Sequence, residues 1–283
     1  MKRVFGLLGL VLLVTLLASP VMAAEKEWTF FVFLNADNNL DSFGVTDEQE
    51  MAKVGSSDVA NIVTLIDRES GPANLHFIEK GNIKNLKDLG EVDMGDYKYM
   101  VSSFKEVAQL YPAKHYALVI WNHGSGWNKI NKANRGISYD DSTGNHITTA
   151  QLALACADIK ASLGKNLDIL AMDACLMQMA EVVYAVKAST DFVVASEETE
   201  PGDGYPYDGI LSGLKAGMTS ADFARQIVKA YTASYNNGTQ GSEAGTQSAV
   251  DCAQMDTLRT AIDGLAAIVI KGNGPLKGET FAS

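Results

Sequence analysis

The chain has 283 residues, 47% hydrophobic and 20% charged, which is enough apolar material for a sizeable core and too ordinary a balance for a disordered or fibrous protein. Residues 1–23 hold Lys2 and Arg3 and no acid; without them 21 basic side chains face 34 acidic ones, a net charge of about −13. Such an acidic surface argues against nucleic acid or anionic membrane as partners and favours cationic ligands.

The N-terminus reads as a secretory signal peptide. Lys2 and Arg3 precede an apolar run over 4–18, and Pro20-Val-Met-Ala-Ala24 supplies small residues for a cut. The expected divisions are a signal peptide over 1–23, one domain over 24–271 and a tail over 272–283, with the product secreted or periplasmic. No later apolar run is long enough to span a membrane. The three cysteines, Cys156, Cys175 and Cys252, are too few for a disulfide scaffold, and their odd number leaves at least one free thiol.

In chain order, the aromatic and β-branched run over 28–36 predicts a buried strand that opens into the polar loop Asp37-Asn-Asn-Leu-Asp41. A short helix follows over 46–54, a core strand over 61–68 and an edge hairpin around 74–80, after Gly71-Pro72. An amphipathic helix over 99–110 stops before Pro112. The run 115–122 is a doubly buried strand ending in His123-Gly-Ser-Gly-Trp127, and the polar stretch 128–147 reads as a long exposed loop. Thr148 or Thr149 caps a helix to Leu163. The apolar run 167–172 is another buried strand, and helical spacing of Leu176, Met179, Ala180 and Val183 starts a helix just after Cys175. A strand over 192–196 leads into an acidic loop to Tyr207; helices over 207–215 and 220–235, a turn region over 236–245, a strand over 247–252 and a helix over 255–271 complete the chain. Strands alternating with helices predict an α/β domain, a mostly parallel sheet sandwiched between helices. In such sheets ligands bind at the C-terminal strand edge, where the loops 35–41, 122–127, 173–175 and 196–207 all emerge.

Cys175 stands where a buried strand hands over to a helix N-terminus, a place that favours the reactive thiolate. A thiol enzyme needs a base within hydrogen-bond reach and donors for an oxyanion. If strands 115–122 and 167–173 are neighbours, His123 meets Cys175 across the sheet edge, and the backbone N–H groups of Gly124 and Cys175 serve the oxyanion. The glycines beside His123 would let backbone approach a substrate. Of the other histidines, His76 and His115 fall in strands and His146 in the polar loop. Asp173 and the loop acids Glu197, Glu198, Glu200 and Asp203 suit a pocket for a cationic side chain. Asp37, Asn39, Asp41 and Glu48 have calcium-loop spacing, with Ser42 where the sharp-turn glycine belongs.

Three motifs, Trp121-Asn-His-Gly-Ser-Gly-Trp127, Met172-Asp-Ala-Cys-Leu-Met177 and the run Ala-Ser-Glu-Glu-Thr-Glu-Pro-Gly-Asp-Gly-Tyr-Pro-Tyr over 195–207, resemble those of the clostripain family of cysteine peptidases, relatives of gingipains and legumains. Leu-Asn-Ala-Asp-Asn-Asn-Leu-Asp at 34–41 fits as well, so the resemblance runs from about Trp28 to Leu258. It implies a caspase-like α/β/α fold and a His–Cys dyad at His123 and Cys175. It implies cleavage of peptides or proteins after Arg or Lys, with Asp173 and Asp203 as the carboxylates of the P1 pocket. It also implies a zymogen cut between the dyad residues, for which Lys129, Lys132 and Arg135 are the available sites. No cofactor is required, although some members need calcium, and a monomer is expected. Catalytic domains of the family continue past the helix that ends near Lys271, so the domain here is expected to lack its last strands. The competing readings are a non-catalytic binding protein on the same scaffold, a calcium-dependent binding module built on the 37–48 loop, and a thiol acyltransferase.

Overall fold

The computed structural model describes residues 24–127 and 135–272. The proposed signal peptide, Lys129, Lys132 and the tail beyond 272 lie outside the described residues. The first strand, β1 (Lys26–Ala36), shows how the sequence builds the fold. Alternate side chains leave a strand on opposite faces; Phe31 and Phe33 point one way, Phe30, Val32 and Leu34 the other, and all five are wholly buried. A strand apolar on both faces needs cover on both, at roughly 1.5–3 kcal/mol for each large side chain buried.

The remaining elements supply it. After β1 come α1 (Asp41–Val54), β2 (Ala60–Arg68), the hairpin β3 (Ala73–Glu79) and β4 (Asn82–Gly90), α2 (Tyr97–Leu110) and β5 (Ala113–Trp121). A second hairpin, β6 (Gly136–Asp140) and β7 (Asn145–Thr148), leads into α3 (Thr149–Leu163), β8 (Leu167–Asp173), α4 (Ala180–Val186) and β9 (Thr190–Ala195). Then follow α5 (Tyr207–Ser212), α6 (Ser220–Tyr235), the small ribbon β10 (Asn236–Gly238) and β11 (Gly241–Ser242), β12 (Ser248–Asp251) and α7 (Met255–Gly272). Eight strands form one sheet in the order β12-β9-β8-β5-β1-β2-β3-β4. The five from β9 to β2 are parallel; β3, β4 and β12 add antiparallel margins. Helices α2, α3 and α4 cover one face and α1, α5 and α6 the other. The expected α/β/α sandwich is therefore observed, and β1, β5, β8 and β9 all release their loops at one edge.

Three expectations need correction. The stretch 128–147 is not one exposed loop: its second half is the β6–β7 hairpin, whose Ile137 and Ile147 are wholly buried. Two isolated apolar residues among Asn, Asp and Ser carry no periodicity. The hairpin is anchored instead by polar bonds, Met94 N to Asp140 Oδ2 (2.9 Å) and Ser138 Oγ to Met94 O (2.8 Å). The helix after Cys175 begins only at Ala180, with a turn between. The helix expected over 207–215 ends at Ser212.

Helix α7 leaves Leu265, Ile268 and Ile270 exposed. Among the described residues no helix is long and apolar enough to cross a membrane.

Thr148 caps α3 as expected: its hydroxyl accepts from Gln151 N (3.2 Å), while Gln151 Oε1 accepts from Thr148 N (2.9 Å). Thr148→Ala removes half of this reciprocal pair and should cost about 1 kcal/mol. Urea unfolding should show a lower midpoint with an unchanged slope.

Candidate active site

Strands β5 and β8 lie side by side, with Trp121 opposite Asp173. Asn122 N extends the pairing by donating to Asp173 O (3.2 Å). His123 and Cys175 therefore leave the sheet next to each other. Both line one cleft of about 180 Å³, together with Leu40, Asp173, Glu200 and Gly204.

The two loops touch backbone to backbone. A Cβ on Gly124 would stand 2.3 Å from the carbonyl oxygen of Cys175, and one on Gly126, whose φ is +57°, would stand 2.4 Å from that of Leu176. These glycines fit the His123 loop against the turn that carries the thiol, a tighter constraint than the expected approach to substrate. Gly124 also pairs with Ile137 in a single bridge whose bond runs from Ser125 N to Gly136 O (3.0 Å).

His123 is held from the β1–α1 loop: its Nε2–H donates to Asn39 Oδ1 (2.8 Å), leaving the lone pair on Nδ1. Burial lowers its pKa, so the ring is neutral near pH 7 and able to accept a proton. The neighbouring Asn122 is clamped by three bonds, from its Nδ2 to Asn35 O (2.7 Å) and Tyr139 O (3.1 Å), and from Tyr139 N to its Oδ1 (2.7 Å).

All three cysteines are free, and only Cys175 is accessible. Burial pushes Cys156 and Cys252 up to about 12, which keeps both as inert thiols. The turn over 174–178 replaces the expected helix N-terminus at Cys175, and Leu176 holds φ at +64° there. The thiol instead accepts from the backbone N–H of Glu200 (3.3 Å).

Carboxylates form the floor. Asp173 is buried and accepts from the Tyr207 hydroxyl (2.9 Å) and Tyr205 N (3.3 Å); burial pushes it up to about 6 despite these bonds. Glu200, hydrogen-bonded to Asp173, is driven well above its usual range by burial and then by the Asp173 charge. Burial and mutual repulsion thus favour a proton on the pair near neutral pH. Glu200 Oε1 is buried with no protein partner. Behind them Asp47, raised by burial and then by Asp173, accepts from Trp121 Nε1 (2.7 Å). Gly204, at φ +53°, would place a Cβ 2.7 Å from Asp173 Oδ1, so only glycine lets this loop lie on the carboxylate.

The structure thus gathers His123, Gly124, Cys175 and Asp173, but Asp203 is exposed and does not line the cleft; its carbonyl accepts from Gln240 Nε2 (2.8 Å). Glu200 takes the place beside Asp173, a position that four acids in one short loop left undistinguished. Asn39 stood out only for calcium-loop spacing and within the 34–41 run, and Asp47 carried no motif of its own. Elsewhere His115 bonds Asp168 (2.7 Å) at the opposite edge, and His146 stacks on Tyr139. The calcium-spaced residues go separate ways: Asp41 pairs with Arg68 (2.6 Å), Asn39 serves His123, and Glu48, inside α1, bonds His76 (2.8 Å) and the Thr64 hydroxyl.

A neutral imidazole across a sheet edge from an accessible thiol is the pairing that cysteine hydrolases use, here on a caspase-like α/β/α scaffold. The profile of the clostripain family matches residues 32–277, and the chain belongs to that family of cysteine proteases. Clostripain from Hathewaya histolytica is 30% identical over 228 residues, which covers 68% of this chain and 43% of that relative's length. A secreted C11 cysteine protease from Bacteroides thetaiotaomicron has the same fold, at a TM-score of 0.70 and 22% identity over 87% of this chain and 71% of its own. An inactive zymogen C11 protease from Parabacteroides distasonis superposes with a TM-score of 0.67 and 22% identity, covering 87% of this chain and 67% of its own.

Iodoacetamide should alkylate the folded protein at Cys175 and leave Cys156 and Cys252 unmodified, as read by peptide mass spectrometry. Gly124→Ala, by prising the loop from the Cys175 carbonyl, should lower the melting temperature by several degrees.

Proposed function

We propose that the protein is an exported endopeptidase that cleaves after Arg or Lys through a His123–Cys175 dyad. The observation that carries this reading is the pair of buried carboxyls, Asp173 and Glu200, that lines the cleft beside the thiol, with Glu200 Oε1 left without a protein partner and the other walls largely apolar. A guanidinium or ammonium entering there supplies the charge the pair lacks. Asp203, at the rim, adds longer-range attraction.

In the proposed reaction the Cys175 sulfur attacks the scissile carbonyl carbon while His123 takes the thiol proton at Nδ1. The Gly124 and Cys175 amides hold the oxyanion. Collapse breaks the C–N bond, and His123 returns the proton to the leaving amine. Water then adds to the thioester, His123 accepts its proton, and Cys175 is released as the thiol. Self-processing after Lys129, Lys132 or Arg135 fits the same specificity, and the Parabacteroides distasonis protein is described as a zymogen. Export rests on the pattern of residues 1–23 and on the description of the Bacteroides thetaiotaomicron protein as secreted.

Fluorogenic peptides with Arg or Lys at P1 should be hydrolysed and an Asp peptide should not, with turnover lost in Cys175→Ala and His123→Ala. Equal turnover of the Asp peptide would overturn the specificity, and turnover that survives Cys175→Ala would overturn the dyad.

Asp173→Asn removes a charge-assisted contact of about 1.5–3 kcal/mol, so kcat/KM on the Arg peptide should fall roughly 10–100-fold. In the wild type, kcat/KM should also decline as pH drops through about 6, because Asp173 gains a proton there and stops attracting the substrate cation. The Asn variant should keep only the decline due to His123, whose pKa burial lowers from the usual histidine range.

A further inference from the structure

At the C-terminal ends of β1, β2 and β6 the carboxyls of Asp37, Asp67 and Asp140 converge, each offering an oxygen within 4.8 Å of the other two. All three are buried, Asp67 completely. Two of them have partial hydrogen-bond support: Asp37 Oδ2 accepts from Ser142 N (3.0 Å), and Asp140 accepts from Met94 N (2.9 Å), Thr143 N (2.8 Å) and Thr143 Oγ1 (2.8 Å). Asp67 Oδ1 accepts only from Arg68 N (3.1 Å), and its Oδ2 is buried with no partner at all. The side-chain charges that act most on Asp67 are Glu91, Asp37 and Asp140, all acidic. The nearby Arg68 guanidinium is committed to Asp41, through bonds of 2.8 and 2.6 Å.

Three buried carboxyls, one with an orphaned oxygen and acidic side chains pressing on it, make a place where a cation would replace a proton. Oxygen-only donors select a hard ion, and three carboxylates favour calcium over magnesium, which keeps most of its water. The spacing agrees: two oxygens that each contact calcium at about 2.4 Å stand at most about 4.8 Å apart.

The geometry points to a calcium site formed by Asp37, Asp67 and Asp140, distinct from the 37–48 spacing, that fastens the catalytic histidine's supports to the sheet. Two chain segments meet there. Asp37 begins the loop whose Asn39 holds His123, and Asp140 follows Tyr139, whose carbonyl accepts from the side chains of Asn35, Asn38 and Asn122. The ion therefore acts on His123 through Asn39 and Asn122 and touches no substrate.

The test is calorimetric titration of chelator-stripped full chain with calcium chloride, paired with thermal unfolding in EDTA and in calcium. Wild type should bind one strong equivalent and gain several degrees in melting temperature. Asp67→Asn should lose the binding heat and the calcium-dependent gain, while melting in EDTA at or above the wild-type temperature, because a buried carboxyl crowded by other acids is gone. Asp37→Asn provides the same comparison from a second ligand. Absence of any calcium response in wild type, or an undiminished response in both variants, overturns the site. A variant that melts far below wild type in EDTA assigns Asp67 a plain structural role and also overturns it.

Discussion

Everything in the site depends on one strand register, Trp121 against Asp173 in the parallel pair β5–β8. That alignment puts the residue two beyond Trp121 beside the residue two beyond Asp173, so imidazole and thiol leave the sheet together. It also lets the Asn122 amide close the pairing on the Asp173 carbonyl. A slip of one residue would turn His123 or Cys175 to the other face, and burial on both sides of the sheet resists it.

Beneath that register the protein keeps an unusual load of carboxyls. Asp47, Asp173 and Glu200 are each raised by burial, and the leading influences on Asp173 include no basic side chain. Such an arrangement opposes folding, since each ionised form loses water without gaining a counter-charge. It is tolerated because Tyr205, Tyr207 and Trp121 direct N–H and O–H groups at the carboxyls. Strain of this kind, offset elsewhere by the apolar sandwich, is what a binding site looks like energetically.

The sandwich itself was legible in the sequence because its strands are apolar on both faces, as in Phe-Phe-Val-Phe-Leu at 30–34 and Leu-Val-Ile-Trp at 118–121. The shared edge followed from their parallel order, and the juxtaposition of His123 and Cys175 from that edge and the motifs around them. What escaped detection depends on single polar contacts. The β6–β7 hairpin is held by Asp140 and Ser138 rather than by a hydrophobic stripe, and the turn after Cys175 interrupts apolar spacing that fits a helix. Asp67 ends a strand with no motif around it, and its significance appears only when Asp37 and Asp140 arrive from 30 and 73 residues away. Choosing among Glu197, Glu198, Glu200 and Asp203 required knowing which way a loop without periodicity faces.

The two silent cysteines have a use of their own. Cys156 is sealed under α3 and Cys252 lies at the start of the turn before α7, so neither sulfur meets solvent until its surroundings open. With the accessible Cys175 already blocked, the rate at which a thiol reagent consumes each remaining sulfur counts opening events at that place in the fold. The molecule thus carries two internal clocks on one face of the sheet. Local fraying would advance one of them alone, and global unfolding would advance both together.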